Sequence, residues 1–160
     1  MSTHQNGRER YHRQMLLPSI GEEGQRRLRE GRVCIIGVGA LGTHVADLLA
    51  RAGVGFLRLV DRDVPELTNL QRQVLFDERD VREHVPKAIA AARRLAEVNH
   101  EVQLDPVVDD VDAFSIERLI ADVDVVVDGS DNFTLRYLLN EAAVKHGRPW
   151  VYGGVVGTHG

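Results

Sequence analysis

Apolar residues fall in short blocks along this chain, and the blocks alternate between two periods. Residues 33–36, Val-Cys-Ile-Ile, form one continuous apolar run, and 56–60, Phe-Leu-Arg-Leu-Val, form a second. Between them Leu41, Val45, Leu48, Leu49 and Ala52 recur at helical spacing, which predicts a helix with that stripe inward. Further strands are expected over 102–107, over the unbroken run 123–127 read as buried on both faces, and over 149–152. Helices are expected over 22–30, from Pro86 with Ile89, Ala92, Leu95 and Ala96 inward, over 114–120, and up to His146. Gly31 and Gly147 stand as helix stops. Residues 1–9 open on a polar stretch and read as loose, while 64–82 reads as an irregular connection. Strands alternating with helices at these lengths predict a doubly wound, mostly parallel α/β sheet with flanking helices over 10–160. The last residues, 153–160, are loop-like where a buried final strand wants cover, so the sequence reads as truncated on its carboxy-terminal side.

The first strand runs straight into Gly37-Val38-Gly39-Ala40-Leu41-Gly42, and the second ends in Asp61. Glycines at 37, 39 and 42 permit a tight turn, close approach of backbone to phosphate, and close packing of helix on strand. The helix amino-terminus at Ala40 then offers unpaired N–H groups to an anion. An acid about 20 residues beyond the glycines suits a ribose hydroxyl, so the unit reads as a Rossmann-like adenine-nucleotide site. The competing phosphate loop fails, because Thr43 stands where that motif needs lysine. Asp63 is open to either a ribose or a structural role. Arg72 and Lys87 form a basic pair that an enzyme handling a triphosphate needs and a plain dehydrogenase does not. Asp131 and Asn132 follow the fourth strand at the sheet edge where ligands bind. An aspartate there can hold Mg²⁺, or the pair can cap the next helix; spacing leaves both open. Cys34 lies inside an apolar strand and reads as structural.

Composition narrows the class. The 160 residues suffice for one domain, and a net charge of −4 suggests no nucleic-acid partner. With one cysteine there is no internal disulfide, which fits a reducing cytoplasm. The seven histidines are scattered, no apolar run nears membrane-spanning length, and the first residues do not form a signal peptide. The expectation is a cytoplasmic protein away from membranes.

Five ordered motifs make the chain resemble the ThiF/MoeB/HesA family. These adenylyltransferases activate small ubiquitin-like sulfur carriers in thiamine and molybdopterin synthesis and are related to the ubiquitin-activating enzymes. The motifs are Arg10-Tyr11-His12-Arg13-Gln14; the glycine turn with Asp61; Thr68-Asn69-Leu70-Gln71-Arg72-Gln73; Pro86-Lys87-Ala88; and Asp128-Gly129-Ser130-Asp131-Asn132. The ending Tyr152-Gly153-Gly154 is similar to the thiamine-type members. The resemblance implies ATP as cofactor, with Asp61 on the ribose and Asn69, Arg72 and Lys87 on the phosphates. It implies that Thr68, Leu70 and Gln71 line the site, that Asp131 holds Mg²⁺ with Asn132 beside the nucleotide, and that Arg13 reaches a neighbouring subunit's site in a homodimer. The implied reaction is attack of a carrier's carboxy-terminal carboxylate on the α-phosphorus of ATP, yielding an acyl-adenylate and pyrophosphate. Gly129 replaces the family's common cysteine, a change expected to be without consequence. The family's zinc-binding Cys-x-x-Cys pairs, its reactive cysteine and much of its carrier-binding surface belong to a further half that this chain lacks. A nucleotide-binding fragment or split half without turnover is therefore a second expectation. A nicotinamide-dependent oxidoreductase ranks last, since it leaves Arg13, Arg72, Lys87, Asp131 and Asn132 idle.

Overall fold

The computed structural model describes residues 3–155 and 157–160, with side chains from residue 9 onward. Its centre is a five-stranded sheet in the order β3-β2-β1-β4-β5. The strands are β1 (Arg32–Ile36), β2 (Phe56–Val60), β3 (Gln103–Val107), β4 (Val125–Asp128) and β5 (Trp150–Tyr152). Every pairing is parallel. Ile36 lies level with Val60 on one side and with Asp128 on the other. The residues that follow, Gly37, Asp61 and Gly129, therefore leave the sheet side by side. The chain passes from β1 to β2 in one direction and to β4 in the other, so this edge is the switch point where open α/β sheets bind ligands.

Helices α3 (Ala40–Ala52) and α5 (Lys87–Val98) cover one face of the sheet. Helices α6 (Ser115–Ile120) and α7 (Phe133–His146) cover the other. Val33, Ile35, Leu57 and Leu59 point into the first layer, and Cys34, Ile36, Phe56, Val60 and Val126 into the second. This alternation of a strand's side chains between the two layers is the reason β1 is apolar throughout. In β4, Val125 and Val127 are only half-buried, because the α3–α5 layer covers that strand in part. The fourth strand also begins two residues later than the apolar run. Proline is tolerated at 106 because β3 is the sheet's edge.

Helix α3 corrects the expected inward stripe. Gly42, Thr43, Ala46 and Ala50 are buried, while Leu48 is 66% exposed. Small side chains let this helix lie close against the sheet, and Val45 and Leu49 pack from its flank. In α5 the buried positions are Lys87, Ala88, Ala90, Ala91, Ala92 and Leu95, whereas Ala96 is exposed. Pro86 caps this helix from outside its first turn.

The amino-terminal segment read as loose carries helix α1 (Thr3–Met15), followed by α2 (Gly21–Glu30). Polar composition hid α1, since tertiary contacts hold it. Tyr11 is buried over Gly53, whose φ of +83° and place under the ring leave no room for a side chain: a Cβ would stand 2.5 Å from Tyr11 Cζ. Asn99 Nδ2 donates to both Tyr11 Oη and the Ala50 carbonyl at 2.7 Å. Gln14 Nε2 donates to the Ala52 carbonyl at 2.9 Å. Within 64–82 lie a 3₁₀ turn (Leu67–Asn69) and a short helix, α4 (Glu78–Arg82), each closed by a capping box.

Candidate nucleotide site

The site is built outward from the end of β1. Gly37 adopts a φ of +90°, and a Cβ there would stand 2.8 Å from the Gly129 carbonyl carbon and the Ser130 nitrogen. A Cβ on Gly42 would run into the Gly37 carbonyl, and so would one on Gly129. Gly42 thus brings α3 close to β1, as the spacing predicts. Gly129, which has no side chain, lets two neighbouring strand–helix turns touch backbone to backbone. Helix α3 starts from Gly39 with no side-chain cap. Its first N–H groups are open to an anion.

Asp61, the acid expected on the ribose, is already engaged by the backbone. Its Oδ2 accepts from Val38 N–H at 2.7 Å, and its Oδ1 accepts from Asp63 N–H at 2.8 Å. The carboxylate therefore pins the glycine turn to the end of β2. Burial pushes its pKa above the usual value, against the opposing effects of the two N–H donors and nearby Lys87. An ionised carboxylate has about four acceptor positions, so about two remain for hydroxyls.

Lys87 is only 7% exposed. Its backbone N–H donates to the Asp63 carbonyl at 2.8 Å, and its Nζ lies 3.3 Å from Asp63 Oδ2. Asp63 thus holds the lysine at the start of α5, beside Asp61. The signature loop divides by orientation. Leu70 packs onto the core, while Thr68, Gln71 and Arg72 are exposed. Asn69 Oδ1 accepts from Glu66 N–H at 3.0 Å, and Arg72 donates to the Thr68 carbonyl at 2.9 Å.

At the end of β4, Asn132 caps α7 by accepting from Thr134 N–H at 2.9 Å. Asp131 is exposed and enters no ion pair among the described residues. Two residues that sequence reasoning left without roles hold this turn. Asp128 is buried, and its Oδ1 accepts from both the N–H and the hydroxyl of Ser130 at 2.9 and 2.6 Å. Arg136 Nε lies 3.4 Å from Asp128 Oδ2, and its guanidinium sits 4.8 Å from the Phe133 ring centre and 4.1 Å from that of Tyr152. The signal for Arg136 was its place four residues beyond Asn132, on the helix face that looks back at the turn.

Arg13 does not join the group. It is exposed on α1, whose anchors Tyr11 and Gln14 reach the carboxy-terminal end of α3. The glycine turn lies at that helix's other end, 13 residues away, or about 20 Å. Cys34 is fully buried, and burial pushes its thiol up to about 12, as expected of a structural cysteine. Among the described residues no three His, Cys, Asp or Glu gather as a metal cluster, and no helix is long and apolar enough to cross a membrane.

A glycine turn, an acid at the end of β2 and a buried lysine meet at the switch point of a parallel sheet, and the fold is a Rossmann-like domain. The chain belongs to the ThiF family, whose model matches residues 11–160. It is 50% identical over 151 residues to the sulfur carrier protein ThiS adenylyltransferase of Bacillus subtilis, covering 94% of this chain and 45% of that protein. It is 44% identical over 147 residues to a sulfur carrier protein adenylyltransferase of Thermus thermophilus, covering 92% and 54%. Among solved structures, E. coli MccB with ATP superimposes with a TM-score of 0.84 at 33% identity, covering 92% of this chain and 45% of that one. E. coli tRNA N6-threonylcarbamoyladenosine dehydratase, TcdA, in complex with ATP gives 0.87 at 26% identity, covering 94% and 60%. The chain spans about half the length of the curated relatives it matches.

Proposed function

We propose that the chain binds ATP and supplies the nucleotide site of a cytoplasmic adenylyltransferase that activates the carboxy-terminal carboxylate of a ubiquitin-like sulfur-carrier protein. The observation that carries this reading is the buried Lys87, held by Asp63 beside the ribose-side Asp61. A redox cofactor site has no use for that ammonium, whereas a departing phosphate does. In the reaction a carrier carboxylate oxygen bonds to the α-phosphorus as the bond to the β-phosphate's bridging oxygen breaks. Pyrophosphate leaves with that electron pair, and the acyl-adenylate remains. Lys87 and Arg72 neutralise the charge that moves onto the leaving oxygens. Exposed Asp131 has the chemistry to hold Mg²⁺, which binds through one or two carboxylates with phosphates and water completing its shell. Bound there, the ion would supply further neutralisation of phosphate charge.

Arg13 acts on the site of a second copy in a homodimer. Its place beyond the far end of α3 supports this, since an arginine side chain is far shorter than that helix. A second reading is a nucleotide-binding part without turnover by itself. Equilibrium titration with ATP and Mg²⁺ against NAD tests the nucleotide reading. ATP is expected to bind and NAD to bind weakly, and tighter binding of NAD would overturn it. Carrier-dependent exchange of pyrophosphate into ATP by the chain alone separates the two readings.

A further inference from the structure

Arg62 stands between Asp61 and Asp63 just past β2, and nothing in the proposed reaction uses it. Its side chain is 62% exposed, yet it is held in place. Nη1 donates to Asp110 Oδ2 at 2.6 Å, and Nε lies 3.7 Å from Asp63 Oδ1. Asp110 is 48 residues further on, in the connection that follows β3. Val60 lies level with Val107, and Asp61 N–H donates to the Val107 carbonyl at 3.1 Å. The guanidinium therefore bridges the exits of β2 and β3 at the ligand edge of the sheet, next to Asp61. Val108, the first residue past β3, is 48% exposed.

Exposed ion pairs contribute little to stability, so folding gives weak reason for a clasp at this place. The course of a bound nucleotide gives a better one. Phosphates seated at the start of α3 lie over the end of β1, and Asp61 takes the ribose one strand over, at the end of β2. The base leaves the ribose on the side away from the phosphates. Continued by about one more strand spacing, roughly 4.8 Å, that line arrives over the end of β3. The Arg62–Asp110 pair stands there, with exposed Val108 two residues from Asp110. A guanidinium is flat, so one held by its edge through a carboxylate keeps a face free to stack on an aromatic ring.

We infer that Arg62 is a base-stacking residue of the nucleotide site, its guanidinium lying on the adenine of ATP while Asp110 holds it by the edge. This assignment rests on the proposed ATP site. The test titrates the wild-type chain, Arg62→Ala and Arg62→Lys with ATP and with ribose 5-triphosphate, which lacks the base, with circular dichroism confirming each fold. Arg62→Ala is expected to weaken ATP about tenfold, the size of one stacking contact on a base. Arg62→Lys keeps the charge and can still pair with Asp110 but has no flat face, so its loss should match that of alanine within about threefold. Affinity for ribose 5-triphosphate should stay within about twofold in both variants. Wild-type affinity for ATP in Arg62→Lys, or equal losses for ATP and ribose 5-triphosphate, would overturn the assignment while leaving the ATP site standing. Absence of ATP binding by the wild-type chain would overturn both.

Discussion

Two strand–helix turns stand side by side at the ligand edge of the sheet, and they are built on opposite plans. The turn after β1 is made of backbone. Glycines let Gly37, Gly42 and Gly129 meet, and the start of α3 is left without a side-chain cap. The turn after β4 is made of side chains. Asp128, Ser130 and Arg136 brace it, and Asn132 caps α7. The first therefore presents N–H groups and the partial positive end of a helix, which suits an anion. The second spends its N–H groups internally and presents the carboxylate of Asp131, which suits a cation. On the proposed reading with ATP and Mg²⁺, adjacent strands would divide the work of holding the ligand, and the direct Gly37–Gly129 contact ties the two halves together.

Breaking the backbone plan should have the largest effect. Gly42→Ala places a Cβ into the Gly37 carbonyl, and backbone rather than a flexible side chain must yield. A loss of about 3–4 kcal/mol or more is expected in urea melts, with ATP binding lost at the same time. A stability change below about 1 kcal/mol would mean the turn is softer than its packing suggests.

Breaking the side-chain plan should come next. Arg136→Met leaves Asp128 buried with Ser130 as its remaining side-chain partner. Its cost is expected to be about 2–4 kcal/mol, below the full penalty of an isolated buried charge because Ser130 still donates. The Mg²⁺ dependence of ATP binding should weaken in this variant, since the turn carrying Asp131 loses its brace. Comparable ATP titrations with and without Mg²⁺ check that point.

A smaller effect is expected from Asn132→Ala, which removes the α7 cap. A destabilisation of about 1 kcal/mol follows, without the wholesale loss caused at Gly42. If Asn132→Ala instead abolishes ATP binding with little change in stability, the residue serves the nucleotide and not the helix.

The gentlest probe is pH. Burial raises the pKa of Asp61, so folding holds its proton more tightly than the unfolded chain does. Its contribution to folding is complete below the ordinary aspartate value and is lost as pH rises through the raised one. Ribose binding runs the other way, because only the ionised carboxylate is a full acceptor. Nucleoside affinity should therefore rise with pH through a value above 3.8, and this step should vanish in Asp61→Asn. A step at or below the ordinary aspartate range would show that Asp61 is not desolvated as its surroundings imply.

Much of this was written along the chain. Strand–helix alternation, the glycine spacing and the acid at the end of β2 are local patterns. They act through steric allowance at Gly37 and Gly42 and through the alternation of side chains along a strand, so the parallel fold and the strand–turn–helix at its switch point could be read from residues 33–61. Lys87 and Asp131 were legible as candidates because charge at a sheet's carboxyl edge is informative.

Other features were decided only when distant segments met. Helix α3 carries two stripes, one of Leu41, Leu48 and other large residues and one of Gly42, Thr43, Ala46 and Ala50. Periodicity favoured the large stripe, but close approach at Gly42 forces the small one inward. Helix α1 is too polar to announce itself and exists through Tyr11, Gln14 and their partners 38 to 90 residues away. The same docking carries Arg13 away from its own glycine turn. Arg62 sits in the sequence as a charge between two acids, while its partner Asp110 lies 48 residues away. The Asp128–Arg136 pair spans a turn that spacing alone leaves ambiguous. Conformational allowance is a property of single residues and their neighbours, and so it can be read locally. Burial and long-range pairing are properties of what surrounds a residue, and here only the assembled sheet and its helices determined them.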